Sequence, residues 1–239
     1  MWIDDDIIAS CAKAVTYHSW IPEKALVVLG RSNKGERECQ LELCRKDQVP
    51  VLRRYGGGGA VVLHPESVIL SLGTWVHHPY RNDYYFSMLN KLVIECLACS
   101  WPKFSGIKTA GISDLAIGDK KIAGTSLFRS RNYLLYQISI LVGDNVGLME
   151  RYLKHPSKEP QYRQGKSHRE FVSCLKNYYS SIKCQEVKEN LDKNFLSLFY
   201  QKFENEISQP QEGHICHLKK KISPYVASPL PSAQQQNLP

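Results

Sequence analysis

The sequence predicts an α+β protein built on a mixed, mostly antiparallel sheet flanked by helices. Three observations carry this prediction. Short apolar runs at residues 25–29, 68–76, 114–117 and 133–142 have the length and composition of buried strands. Residues 83–99 and 186–203 instead repeat their apolar residues at helical spacing. Between residues 49 and 76, strand, glycine-rich turn, strand, short loop and strand follow one another with no helical crossover, which favours antiparallel pairing.

Taken in order, residues 1–14 read as a helix. Ile3, Ile7, Ile8 and Cys11 share one face, and Asp4, Asp5 and Asp6 suit the positive end of its dipole. Residues 25–29 form a strand closed by Gly30, Arg31, Ser32 and Asn33. Residues 35–46 have helical spacing through Cys39 and Leu43, and 83–99 form a long amphipathic helix. Residues 114–117 are a strand that Gly118, Asp119 and Lys120 turn back onto a partner from Ile122 onward. A polar, basic loop at 154–166 precedes Ser167 and Glu170, whose spacing before Phe171 and Val172 is that of a capping box. Arg163, Lys166 and His168 there read first as capping and solvated charge, and otherwise as groups facing a partner protein or a nucleotide. Residues 186–203 form a helix through Val187, Leu191, Phe195, Leu198 and Phe199. One domain over 1–205 is expected, and from 206 to 239 the Pro, Ser and Gln content predicts a disordered tail with a small basic tag.

The chain's 239 residues suffice for one core, and 43% hydrophobic with 23% charged residues describe a globular protein. Its apolar runs are too short to span a bilayer and no signal-like segment opens it, so a cytoplasmic protein without membrane attachment is expected. A formal charge of +8 favours an acidic partner, whether nucleic acid, anionic cofactor or carrier protein. No nucleic-acid motif accompanies that charge, and nucleic-acid binding is not expected. The eight cysteines read as free thiols. Cys96 and Cys99 have metal-like spacing, but they lie in a helical run with Leu89, Val93 and Leu97 and no second pair follows, so no metal site is expected.

Residues 49–64, VPVLRRYGGGGAVVLH, are the stretch most suggestive of chemistry. Glycines 56–59 can reach backbone angles closed to other residues and let a ligand lie on the main chain. With Arg53 and Arg54 beside them they form an anion cradle or a glycine-rich hairpin with solvated arginines. It is neither a P-loop nor a dinucleotide fingerprint. A second constellation, SDLAIGDKKIAGTS, sets Lys121 near Gly124, where a backbone could again approach a ligand.

Together these two stretches resemble the lipoate-protein ligase and octanoyltransferase superfamily, whose motifs read RRxSGGGAVxH and NDLxxxGKKIxGSA. The MWIDDDII start and the VVLGRSN segment extend the likeness, which covers residues 1–152. The resemblance implies the fold of the class II synthetase and biotin-protein ligase catalytic domain. It also implies that Arg54, Gly57, Gly58 and Gly59 line the acyl pocket and phosphate site with Arg53 beside them. Asp114 matches the motif aspartate, and Lys121 the lysine that contacts the acyl carbonyl and the adenylate. The implied activity is attachment of lipoate, or a related medium-chain acyl group, through an acyl adenylate to a lysine of an acceptor protein. Lipoate would be the substrate, with ATP and Mg2+ needed if the chain makes the adenylate itself. Implied acceptors are acidic lipoyl domains of 2-oxoacid dehydrogenases or the glycine-cleavage H protein, and a separate accessory chain could stand in for the second domain that large ligases carry.

The chain departs from the motifs at four places. Gly56 replaces the serine, Leu63 the histidine with His64 one position late, Ser113 the asparagine, and residues 136–138 an HG(T/S) sequence. A one-residue shift turns a strand side chain to the other face, so His64 does not inherit the histidine's role. The cysteine-using members place their nucleophile in regions that here contain none, which favours direct transfer from an adenylate. The alternatives are transfer of octanoate from octanoyl-carrier protein and a non-catalytic acyl-binding homologue.

Overall fold

In the computed structural model, which describes residues 2–226, helix α1 spans only Asp5–Ala9 rather than residues 1–14. The residues before it behave as strand: Trp2 bridges Arg53 in parallel, and the Ile3 N–H donates to the Arg53 carbonyl at 2.9 Å. A strand that the sequence reading did not include, β1 (Val15–Trp20), follows. Strand β2 (Leu26–Leu29) stands where expected. The predicted helix at 35–46 is split into α2 (Gly35–Glu38) and α3 (Leu41–Lys46). Cys39 between them is extended and bridges Leu153, so tertiary pairing interrupts the helix.

Strands β3 (Val51–Arg53), β4 (Val61–Leu63) and β5 (Ser67–Trp75) lead to helix α4 (Asn82–Ser100). Strand β6 (Lys108–Ala110) precedes β7 (Asp114–Ile117), β8 (Lys120–Ser130) and β9 (Tyr133–Leu141). Helices α5 (Val146–Tyr152), α6 (His168–Phe171), α7 (Cys184–Phe203) and α8 (Glu212–Val226) complete the described chain. Helix α8 lies where composition predicts disorder. Its Leu218 is fully buried with Trp2, Ile8 and Trp75, and that apolar contact explains why the segment orders. Residues 227–239 of the expected tail lie outside the described residues.

The strands form two sheets. Six run in the order β1-β5-β9-β8-β7-β6 with every neighbour antiparallel. Three run β3-β2-β4, with β2 parallel to β3 and antiparallel to β4. The mixed, mostly antiparallel class is as predicted, but the pairing around the glycines is not. Strands β3 and β4 are not partners, since β2 lies between them, and β5 belongs to the other sheet. Residues 54–60 step over the end of β2 instead of closing a hairpin, a span of about 10 Å set by two strand spacings.

Leu70, Leu72, Tyr136 and Ile138 pack one face of the large sheet against α4 and α7 through Leu89, Val93, Leu191 and Phe195. The small sheet covers part of the opposite face, where Leu26, Val28 and Leu63 meet Ile69. Its outer residues Val27, Leu29 and Val62 meet Cys39, Cys44, Met149 and Leu153. A cleft is left between the two sheets, bounded by α5 and α6. Among the described residues no helix is long and apolar enough to cross a membrane.

Candidate functional site

Strands β7 and β8 deliver the central pair. Their two-residue turn pairs Ile117 with Lys120 and Ala116 with Lys121, but Leu115 then faces Ala123 and Asp114 faces Gly124. Ile122 is therefore the extra residue of a β-bulge. In a regular strand Lys121 and Gly124, three apart, would point to opposite faces, and the bulge returns them to the same one. Lys121 Nζ consequently lies 2.7 Å from Asp114 Oδ1. Gly124 leaves room for this arrangement, because a Cβ there would sit 3.0 Å from Nζ and 3.1 Å from the Cε of Lys121 and press on the lysine's end.

Asp114 is held from both sides, since the Tyr162 hydroxyl donates to Oδ2 at 2.7 Å. Burial, then the neighbouring Asp114 carboxylate, pushes the Tyr162 phenol well above its usual range, so it remains a donor. The ion pair is unequal in exposure: the Lys121 side chain is 25% exposed and that of Asp114 7%. Asp114 is thus the anchor and Lys121 the group a ligand can reach. Lys121's main chain is also fixed, by a parallel bridge to Val172 and a 2.8 Å bond from the Ser173 N–H to its carbonyl.

Lys121 and Gly124 line a cleft with about 630 Å³ of empty space, its mouth included. Ala60, Val61 and Val62 of the small sheet, Leu141, Met149, Leu153 and Phe171 give it an apolar body. Arg163, His168, Lys154 and Glu38 give it a polar end. The cleft can seat an acyl chain along its body with an anionic head beside Lys121.

The glycine stretch enters the cleft wall at Ala60, and its two arginines do not behave as the sequence suggested. Arg53 Nη1 donates to the carbonyls of Gly30, Arg31 and Asn33 at 2.9, 3.1 and 2.9 Å. Arg54 is 8% exposed and donates to Gly57 O through Nε and Nη2 at 3.2 and 2.7 Å, and to Gly59 O at 2.8 Å. Burial lowers its pKa to about 10, with Asp4 opposing the shift. Both guanidiniums hold carbonyls together rather than face an anion directly, Arg53 fixing the turn at residues 30–33 and Arg54 the glycine loop. Gly58, at φ +92°, takes a conformation that side chains rarely adopt, whereas a Cβ on Gly57 or Gly59 would meet nothing within 4 Å. The open side of the loop is therefore at Gly57 and Gly59.

Asp4 fixes the entry to this loop. It is 1% exposed, accepts from the Tyr55 N–H at 2.7 Å and from Gln137 Nε2 at 2.6 Å, and does not cap α1. Burial raises its pKa from 3.8 to about 6, against the lowering effects of Tyr55, Gln137 and Arg54. Because the folded value lies above the unfolded one, this contribution to stability is fully present below pH 3.8 and is lost as pH rises through about 6. The shift corresponds to a loss on the order of 3 kcal/mol. Denaturant unfolding measured across that window should show the decline for the native protein and a flatter profile for Asp4→Asn. Equal slopes would mean that Asp4 is not the titrating group.

His64 is structural. Its Nδ1 accepts from the Glu66 N–H at 3.1 Å, and burial lowers its pKa to about 4. Ser167 and Glu170 form the predicted capping box. Arg163 and His168, read from sequence mainly as solvated charge, instead line the cleft with Tyr162 just behind. The only available signal was their clustering in one basic loop. Cys96 is buried and Cys99 exposed on α4, and both are free thiols. Among the described residues no group of three or more His, Cys, Asp or Glu is arranged to hold a metal ion.

With this geometry in view, the chain matches the model of the lipoyl protein ligase A/B catalytic domain over residues 3–196 and belongs to that family. It is 24% identical over 183 residues to lipoate–protein ligase 1 of Plasmodium falciparum, covering 76% of this chain and 42% of that one. It spans between 37% and 58% of the length of three curated relatives it matches. Its fold is similar to a structure described as a bipartite lipoate protein ligase and its E2 lipoyl domain from Thermoplasma acidophilum, with TM-score 0.68, 20% identity and coverage of 92% and 84%. It is also similar to a structure of lipoate-protein ligase A bound with ATP, with TM-score 0.66, 18% identity and coverage of 92% and 86%.

Proposed function

We propose that this member of the lipoyl protein ligase A/B catalytic-domain family attaches lipoate, or a related medium-chain acyl group, to a specific lysine of an acceptor protein, from an acyl adenylate. The observation that carries the proposal is the Lys121 ammonium held by Asp114 at the polar end of an apolar cleft. The chain of the acyl group lies along Val61, Val62, Leu141 and Met149, and its carboxyl carbon lies beside Lys121. When the acceptor amine attacks, the carbonyl oxygen gains negative charge, and Lys121 stabilises it with a cation that Asp114 has already oriented. The C–N bond forms on the carbonyl carbon, the carbonyl then re-forms as AMP leaves with the electron pair of the bond that breaks, and the amine gives up its proton to solvent, so the leaving charge stays on the phosphate. The N–H groups at the open side of the loop, at Gly57 and Gly59, meet the anionic head, while Arg54 and Gly58 keep that loop in shape and Arg53 fixes the neighbouring turn at residues 30–33.

The cysteines support direct transfer. Among the described residues none lines the cleft, and burial raises the thiols on its flanks, Cys174 upward and Cys39 to about 12, away from a reactive thiolate. The net charge of +8 suits acidic acceptors such as the lipoyl domains of 2-oxoacid dehydrogenases or the glycine-cleavage H protein. ATP and Mg2+ enter only if this chain also makes the adenylate, and a separate accessory chain could complete that step.

Intact mass spectrometry of an apo lipoyl domain tests the reading with three donors: lipoate with ATP and Mg2+, preformed lipoyl adenylate, and octanoyl-carrier protein. A mass gain with lipoate and ATP makes this a self-sufficient ligase, and a gain only with the adenylate makes it a transferase. A gain only from octanoyl-carrier protein would overturn the adenylate route, and none from any donor would overturn the assignment of transfer to this chain acting alone.

A further inference from the structure

Residues 159–171 fold over the polar end of the cleft, and their central side chain is buried with a donor to spare. Arg163 ends the short 3-10 turn Gln161–Arg163, after which Gln164 and Gly165 adopt φ of +53° and +71° and turn the chain back. The turn sends Arg163 inward, where it is 5% exposed. Its Nε donates to the Lys166 carbonyl at 3.0 Å and lies 3.4 Å from Glu159 Oε2, and its guanidinium stacks 4.9 Å from the centre of the Phe171 ring. Nη2 has no hydrogen-bond partner. A buried guanidinium donor left unpaired is costly, and the cost disappears when a ligand oxygen accepts from it.

The surroundings specify the charge of that ligand. Glu159 is shared with His155 Nε2 at 2.9 Å and the Gly165 N–H at 2.8 Å, so it does not serve Arg163 alone. His168 is neutral at physiological pH: burial, then the positive charges of Arg163 and His155 and, more weakly, Lys121, lowers its pKa to about 4. Lys121, Lys154 and Arg163 are thus three cations on one cleft against one lining carboxylate, Glu38; Asp114 already matches Lys121, and Glu159 reaches Arg163 only at Nε, which leaves Nη2 without an acceptor. A guanidinium matches tetrahedral phosphate oxygens in geometry as well as charge.

We infer that Arg163 is the phosphate-binding residue of this cleft, its Nη2 donating to the phosphoryl group of a nucleoside monophosphate while Lys121 faces the adjoining acyl carbonyl. The inference rests on the acyl-adenylate reading above and adds to it a residue that no motif assigns. A purely structural Arg163, anchoring its own loop through Lys166 and Phe171, is the competing account.

Calorimetric titration with AMP and with adenosine separates the two, because only the phosphate increment reports on Arg163. The native protein is expected to bind AMP about ten- to a hundredfold more tightly than adenosine, the range of one charge-assisted hydrogen bond. Arg163→Met, which keeps an apolar stem against Phe171, should cut that preference about tenfold or more while keeping adenosine affinity and cooperative melting, and Arg163→Lys should restore part of it. An unchanged AMP-to-adenosine ratio in Arg163→Met, or equal loss of both ligands, overturns the assignment and leaves Arg163 as a loop anchor. Loss of octanoate binding with AMP binding intact would overturn it in favour of a carboxylate. If the native protein transfers acyl groups yet does not prefer AMP, Arg163 alone is misassigned; if it neither binds nucleotide nor transfers, the reading beneath it fails as well.

Discussion

Replacing Lys121 by alanine is expected to slow acyl transfer about 100- to 1,000-fold, the loss seen when one preorganised donor to a developing oxyanion is removed. The expectation rests on fixed geometry. Asp114 holds Nζ at 2.7 Å, Tyr162 holds Asp114, and Val172 and Ser173 hold the Lys121 main chain, so the cation needs no reorganisation during the reaction. Single-turnover transfer from preformed adenylate is the measurement, because it bypasses activation and reports on the step Lys121 serves. The fold should survive, since Asp114 keeps the Tyr162 hydroxyl and the pair borders open space, and a cooperative melt checks this. Transfer within threefold of native would remove Lys121 from the chemistry. Asp114→Asn provides a second test: it keeps a partner for Tyr162 but no longer fixes the cation, so it should lower the rate less than Lys121→Ala does.

Gly56→Ser is expected to destabilise the protein by about 1–3 kcal/mol, as overpacking of a filled interior does. A Cβ at residue 56 would lie 2.7 Å from the Oγ and 3.0 Å from the Cβ of Ser126 on β8. The family motifs carry serine at the first of these positions and alanine at the second, so this chain has the reverse arrangement, Gly56 with Ser126. Ser126 is 6% exposed and its Oγ has no partner, so Ser126→Ala alone should be neutral or stabilising by up to ~1 kcal/mol. The double variant should recover most of what Gly56→Ser loses, and its transfer rate should recover with the loop beside Gly57 and Gly59. A denaturant double-mutant cycle measures the coupling. Additive effects would show that the loop can shift away from β8 and that the two positions are independent.

The motif residues were legible because their chemistry is local. Asp114, Lys121 and Gly124 lie on two strands joined by a recognisable turn, and β7 begins and ends where the sequence places it. The bulge at Ile122, which decides that these residues share a face, is not legible, since its register is set by the partner strands. The arginines beside the glycines illustrate the opposite outcome. Two adjacent cations next to a flexible turn suggest an anion, yet the carbonyls of residues 30–33 and 57–59 supply the negative potential instead. Arg163 reads as solvated in a polar loop, and only its contact with Phe171 and enclosure over the cleft show otherwise.

By itself the sequence determined the α+β class, the two long helices, and strands at 25–29, 68–76, 114–117 and 133–142 to within a residue of where they lie, and through its motifs it pointed to Asp114 and Lys121 without showing that they pair. Periodicity and turn chemistry act over a few residues, and those are the distances a sequence displays. Tertiary structure alone decided that β2 separates β3 from β4, that residues 15–20 become an edge strand, and that residues 212–218 have apolar surface to rest on. It also decided which buried polar atoms find partners and which, like Arg163 Nη2, do not. Those outcomes depend on groups far apart in the chain competing for the same donors, acceptors and apolar surface, a competition settled only when the two sheets close on each other.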